Sequence, residues 1–382
     1  MAGIGFELRK VIGRGSLGSF LKAALSGTMI VAGPWLLSIV SIVVIYNVTD
    51  LALQRNVGLF IAPVVYTYAS SLLLFSWFHF LFTRIIADQM FDRRPRDAAA
   101  SLVVSMVAVG IAAAVIGPVG LVLLGPFPVG HPALYFVAAV VLFVTVNLIW
   151  VVMLLFSILK NYNPFGRAYA VGLAVSVGLS ILLSDPFGLA GALAGFAFGH
   201  IVIVTLLLVL GLRSYTPGDL RGQLPLFRQY FNRYVPLLAA GLLYNWGIWV
   251  DKIVYWIMLG DSVAGTGFAL LERYDLAVYV GTLSMIPGLV YFVVVSETAV
   301  YVLLRKFLAA LGGRPYGEIQ RRKARLERGI QRSVVDQSIF QGVVTLGLLL
   351  AARWLVGPLT GGAVPIPIFV TTLVAVFAHL LL

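Results

Sequence analysis

Long apolar runs separated by short polar and basic stretches recur along the whole 382-residue sequence. A hydrocarbon core about 30 Å thick takes roughly 20 apolar residues as a helix. Windows of that width predict ten helices, near 22–48, 58–86, 98–125, 132–159, 168–184, 188–213, 235–259, 276–304, 335–355 and 363–382. The shorter segments of alternating polarity that build an outer-membrane barrel do not occur. The predicted fold class is therefore an all-α membrane protein, a polytopic helical bundle.

Composition agrees, with 60% hydrophobic and 11% charged residues and a mean hydropathy of +1.00, which excludes an ordinary soluble domain. Met1 to Glu7 lack the charged start, apolar core and small-residue cleavage site of a signal peptide, so the first helix is expected in the mature protein. The absence of cysteine removes disulfides and thiolate chemistry.

Charge sets an orientation. Of the 27 basic residues, all but Arg55, Lys252, Arg273 and Arg353 fall in the segments on the N-terminal side of the membrane. The positive-inside bias makes that side cytoplasmic. The net charge of +12 then reads as topology and an attraction to anionic lipid, not as nucleic-acid binding.

Two basic, partly amphipathic lead-ins, Phe6 to Lys22 and Phe227 to Tyr234, each precede a run of helices. They suggest two pseudo-repeated lobes, 1–225 and 226–382. Six helices follow the first lead-in and four the second, and the sequence stops on His379-Leu380-Leu381-Leu382. The expectation is a second lobe lacking two helices in a truncated chain; the alternative is a protein of ten helices.

The seventh span carries Asp251 and Lys252 in an apolar stretch, where charges are expensive unless they meet a partner or a watery cavity. Helical spacing puts Asn245, Trp249, Lys252 and Trp256 on one face, with Tyr244, Ile248, Asp251 and Tyr255 on the next. Aromatic rings flanked by hydrogen-bonding groups suit sugars, whose C–H faces stack while their hydroxyls seek donors and acceptors. An interhelical ion pair with interface aromatics is the other reading.

The eighth span holds Pro287 and Gly288 mid-helix, then Tyr291 and Ser296-Glu297-Thr298, combining a predicted kink with a second intramembrane acid. Gly33-Pro34 gives the first span a similar break; each is a hinge or a packing kink. Glu297 also lies within reach of a pairing with Arg305 or Lys306. In the loop after the seventh span, Asp261, Glu272 and Asp275 outnumber Arg273. That excess suits release of a cationic polymer or simply a solvated loop. Gly191, Gly195 and Gly199 recur at four-residue spacing as a packing stripe.

The stretch Glu318 to Arg332 is a basic helix with Ile319, Leu326 and Ile330 on one face. It docks a cytoplasmic partner through Arg321, Arg322, Lys323, Arg325 and Arg328, or rests on anionic headgroups. The pattern Gly13-Arg14-Gly15-Ser16-Leu17-Gly18 has no preceding strand, no P-loop occurs, and the four histidines lack metal-ligand spacing. Neither a cofactor nor a metal is expected.

Ala2-Gly3-Ile4-Gly5-Phe6-Glu7-Leu8-Arg9-Lys10 and Ser26-Gly27 through Gly33-Pro34-Trp35 resemble the Pel exopolysaccharide transporter family, PelG. So do Leu243-Tyr244-Asn245 through Trp249-Val250-Asp251-Lys252, Tyr274-Asp275 through Ile286-Pro287-Gly288, and Glu297-Thr298. The resemblance implies a bacterial inner-membrane exporter of the multidrug/oligosaccharidyl-lipid/polysaccharide (MOP) superfamily, MATE-like, normally with twelve helices in two lobes. It implies export of an amino-sugar polymer made by a cytoplasmic glycosyltransferase, PelF, beside the membrane partners PelD and PelE, of which PelD senses cyclic di-GMP. An acid expected soon after Glu297-Thr298 is replaced by Ala299-Val300.

The reading that results is a polysaccharide transporter and not an enzyme, with a path along Tyr244, Asn245, Trp249, Asp251, Lys252, Tyr255, Tyr291 and Glu297. Its rivals are a flippase or antiporter of a small or lipid-linked substrate on the same fold, and a non-transporting scaffold for the synthase.

Overall fold

The computed structural model describes residues 33–49, 57–159 and 163–381, together with Thr28. The first lead-in and the amino-terminal part of the first predicted span lie outside the described residues. Two compact units divide between Leu271 and Glu272.

The larger unit, Trp35–Leu271, is helical apart from a small ribbon. Its elements are α1 (Gly33–Val48), α2 (Gly58–Phe91), α3 (Pro95–Leu124), α4 (Pro132–Leu159), α5 (Asn163–Ser214), α6 (Gln223–Arg233) and α7 (Val235–Leu259). The antiparallel pair β1 (Asp261–Ser262) and β2 (Ala269–Leu270) follows. Apolar side chains of α2, α4 and α5 make one core around Phe60, Tyr135, Leu142, Leu193 and Phe196, with Phe60 and Phe196 edge to face at 6.1 Å. A second core joins Phe82 of α2, Leu102 of α3, Val152 of α4 and Leu207 of α5.

Helix α5 is a hairpin. At Gly188 the backbone takes φ 57°, ψ −139°, outside the helical region, and the chain turns back on itself. The two arms match the predicted spans 168–184 and 188–213. The glycine stripe faces the first arm so closely that a Cβ on Gly195 would lie 2.2 Å from the Ser180 nitrogen. Ser176 and Ser180 donate across it to the carbonyls of Phe196 and Ala192 at 3.1 and 2.8 Å. Absence of side chains is what lets two helix backbones come this near.

The larger unit also takes in α7, which runs beside α2. Leu238 packs with Leu81 and Ile85 at one end, and Trp256 joins the core that contains Ala69 at the other. The unit consequently extends past the division expected after residue 225. Short helix α6 packs through Leu226 and Phe227, whose ring stacks on Phe78 at 6.1 Å. Buried Gln223 meets Gln89 of α2 at 2.8 Å and Ser101 of α3 at 2.9 Å. Tyr230 donates to Asp88 at 3.0 Å; burial, and then this bond, push its hydroxyl above the usual phenol range.

The smaller unit includes α8 (Glu272–Thr282), α9 (Met285–Tyr291), a widened turn at Phe292–Ser296, α10 (Glu297–Leu311), α11 (Tyr316–Thr360) and α12 (Ile366–His379). Its core gathers Ala277, Ala352, Val356, Phe369 and Leu373. The predicted span 276–304 is thus interrupted at Leu283–Ser284 and widened, while staying helical, at Phe292–Ser296. The predicted span 335–355 is part of one 45-residue helix that also contains the basic stretch.

Among the described residues, six helices are long and apolar enough to cross a membrane. They are Gly58–Phe91, Pro95–Leu124, Pro132–Phe156, Phe165–Arg213 (the α5 hairpin), Glu272–Leu311 and Tyr316–Trp354. Helices Leu36–Val48 and Ile366–His379 are apolar but shorter. Helix α7 has 25 residues but is not among the six, and Asn245, Asp251 and Lys252 lower its hydropathy. The chain is an all-α polytopic membrane protein.

Candidate functional site

Helix α7 divides its polar sector between two environments. Trp256 is buried against α2, with its ring stacked on Tyr66 at 5.1 Å. Trp249 is half-buried with its ring 6.4 Å from Trp256, and Asn245 donates to the Gly241 carbonyl at 3.3 Å. The adjacent strip faces away. Tyr244 is 52% and Tyr255 39% exposed, and the Asp251 side chain keeps 40% of its surface.

Lys252 joins the two strips. Its ammonium lies 3.1 and 3.2 Å from the two Asp251 oxygens, donates to the Ile248 carbonyl at 3.2 Å, and sits 5.5 Å from the centre of the Trp249 ring. Lys252 thus meets an acid within α7, one residue away. Neutralisation by neighbours and an aromatic face lowers the cost of a cation in a membrane helix. The Asp251 side chain keeps 40% of its surface exposed while bonded to Lys252.

The other predicted path residues lie in the smaller unit. Tyr291 stacks on Phe340 of α11 at 4.5 Å. Glu297, half-buried, opens α10 directly after the widened turn. Such π-type widenings are frequent at functional positions. Around the break, Gln341 Nε2 donates to the Ser284 carbonyl at 3.1 Å, and Gln337 Nε2 to that of Gly288 at 2.9 Å. A Cβ on Gly288 would come 2.3 Å from Gln341 Oε1, so a larger residue beside Pro287 would displace the glutamine amide. Gly33 and Pro34 open α1, and residues 29–32 before them lie outside the described residues.

Sequence reasoning missed the two glutamines and Tyr66. The signal for the glutamines was present, since Gln337 and Gln341 stand one turn apart in an apolar span. Tyr66 left none, because its partner Ala269 is 203 residues away.

The basic residues of α11 separate into two roles. Arg322 pairs with Glu318 and donates to the Lys306 carbonyl at 2.8 Å, pinning α10 and α11 into a hairpin. Arg321, Lys323, Arg325 and Arg328 are exposed.

Helices long and apolar enough to cross a membrane define a multi-pass membrane protein. A solved structure shares this fold: the "MATE transporter ClbM in complex with Rb+" aligns over 94% of this chain and 77% of its own, with TM-score 0.58 and 15% identity. That likeness is one of fold. The family model "PelG: Putative exopolysaccharide Exporter (EPS-E)" matches residues 1–382, and the chain belongs to that family. No curated protein matches.

Proposed function

We propose that this protein exports an amino-sugar exopolysaccharide across the bacterial inner membrane, with its N-terminus in the cytoplasm and a cytoplasmic glycosyltransferase supplying the polymer. The observation that carries this is the exposed strip of α7, where Tyr244, Asp251 and Tyr255 follow one another at helical spacing. Rings offer stacking faces, and the carboxylate complements ammonium groups on an amino-sugar chain. Asn245, Trp249 and Lys252 brace that strip. Within the smaller unit, taken by itself, Tyr291 and Glu297 are the proposed path residues and Pro287 and Gly288 the proposed hinge. PelD-like and PelE-like membrane proteins complete the assembly, and bilayer lipid surrounds it.

The 1–225 and 226–382 halves descend, in this reading, from a repeated lobe. Arg321, Lys323, Arg325 and Arg328 present a cationic surface for the glycosyltransferase. The test is polymer secretion from cells whose full-length protein carries Asp251→Asn, with membrane abundance measured in parallel. Secretion should fall at least several-fold at unchanged abundance. Normal secretion would remove Asp251 from the path, and loss of abundance alone would assign it to folding.

A further inference from the structure

Between α2 and α7, beneath the β1–β2 ribbon, lies an open pocket of about 470 Å³, within the range of ligand sites. Two helical faces line it: Tyr66, Ala69, Ser70 and Leu73 on α2, and Ile253, Trp256 and Ile257 on α7, with Gly260 just past the end of α7. The ribbon closes one end. All these residues belong to the larger unit.

The lining hydroxyls are those of Tyr66, Ser70, Ser262 and Thr266, and Leu73 and Ile253 lie along the two helices away from the ribbon. The hydroxyl protons are already spent on the protein's own backbone. Ser262 donates to the Thr266 carbonyl at 2.8 Å, Thr266 to that of Val263 at 2.7 Å, and Tyr66 to that of Ala269 at 3.0 Å. A sugar ring, which must satisfy several hydroxyls at once, finds few free donors here. A hydrocarbon chain needs none. Beside the mouth, the apolar side chains of Ile257, Met258 and Leu259 are 79%, 74% and 62% exposed.

We infer that this pocket holds one acyl chain of a bilayer glycerophospholipid, with its ester end at the ribbon and its chain against Leu73, Ile253 and Ile257. The rings of Tyr66 and Trp256, stacked on each other, form a rigid wall that does not need to reorganise on entry. The site is independent of the proposed path, so its lipid can be present whether or not the protein exports polymer.

The test uses the full chain in nanodiscs of phosphatidylethanolamine and phosphatidylglycerol, doped with a phosphatidylcholine carrying a diazirine on its sn-2 chain. After irradiation, adducts are mapped by peptide mass spectrometry. Adducts at 69–73 and 253–257 should exceed, several-fold, those at Val107, Ile111 and Val115, which are 56%, 63% and 60% exposed on α3. Filling the pocket with Ile253→Trp, or independently with Ser70→Phe, should bring them down to the α3 level while the α3 adducts stay constant and confirm the fold. Equal labelling of both regions, or an excess that survives both fillings, overturns the proposal in favour of ordinary bilayer contact. Adducts lost on adding an amino-sugar oligosaccharide overturn it in favour of a sugar site.

Discussion

Gln341 donates to the carbonyl of Ser284 at 3.1 Å, across from the point where α8 ends and α9 begins. One turn away on each element, Gln337 repeats the contact with Gly288 at 2.9 Å. Pro287 has no N–H to give the Leu283 carbonyl, which accepts from the Ile286 N–H at 3.1 Å instead, and the Gly288 carbonyl also accepts from the Phe292 N–H, so the glutamines add side-chain bonds to backbone beside the break. The two amides supply donors from a continuous neighbouring helix. In this structure the break is braced from α11, and the two bonds are ones that a hinge motion there would have to release.

Replacing Gln341 by Leu removes one of these donors while keeping the volume. We expect a loss of about 1 kcal/mol, the net value of a typical buried hydrogen bond, and about twice that for Gln337→Leu with Gln341→Leu. Thermal unfolding in detergent measures it. An unshifted midpoint for the double variant would mean that the carbonyls find other partners.

The α5 hairpin gives a sharper contrast. A Cβ on Gly195 would meet Ser180 backbone atoms at 2.2 Å, whereas one on Gly178 of the same element meets nothing within 4 Å. Gly195→Ala should cost about 1–3 kcal/mol by overpacking. Gly178→Ala should be neutral or gain about 0.5 kcal/mol, because alanine restricts the unfolded chain. Membrane abundance and unfolding midpoints of the two variants check the order.

Tyr66 both donates to the Ala269 carbonyl and accepts from its N–H, at 3.0 Å each, as a neighbouring strand would. Tyr66→Phe keeps the ring against Trp256 and Phe268 and removes both bonds. Hydrogen exchange over residues 261–271 should accelerate roughly tenfold, equivalent to about 1.4 kcal/mol of lost protection. Unchanged exchange would show that ring packing alone holds the ribbon.

The basic hairpin yields a prediction about partners. Reversing exposed Arg321, Lys323 and Arg325 to Glu should release the glycosyltransferase from isolated membranes and leave the fold intact. Arg322→Ala should instead loosen the α10–α11 pairing, because its guanidinium bridges Glu318 and the Lys306 carbonyl. Co-sedimentation and limited proteolysis separate the two effects.

Most of the architecture was legible in the sequence, because a bilayer converts hydropathy into span positions almost directly. The candidate site was legible only in part. Spacing put Asp251 and Lys252 on a polar sector, since helical periodicity is local. It did not show that Trp256 turns into the α2 packing while Tyr255 stays exposed, because that depends on which neighbour α7 meets. Nor did it show that Lys252 closes back on Asp251 within its own helix.

The sequence by itself determined the helical membrane class, most of the helix positions, the glycine stripe and the break near Pro287. Each follows from interactions within a few residues of chain or from the solvent that surrounds it. Only the tertiary structure decided that α7 packs with the larger unit, that Tyr66 clasps Ala269, and that Gln337 and Gln341 brace the broken helix. Those contacts join residues 49 to 203 positions apart, and their partners are selected by packing geometry that no local pattern encodes.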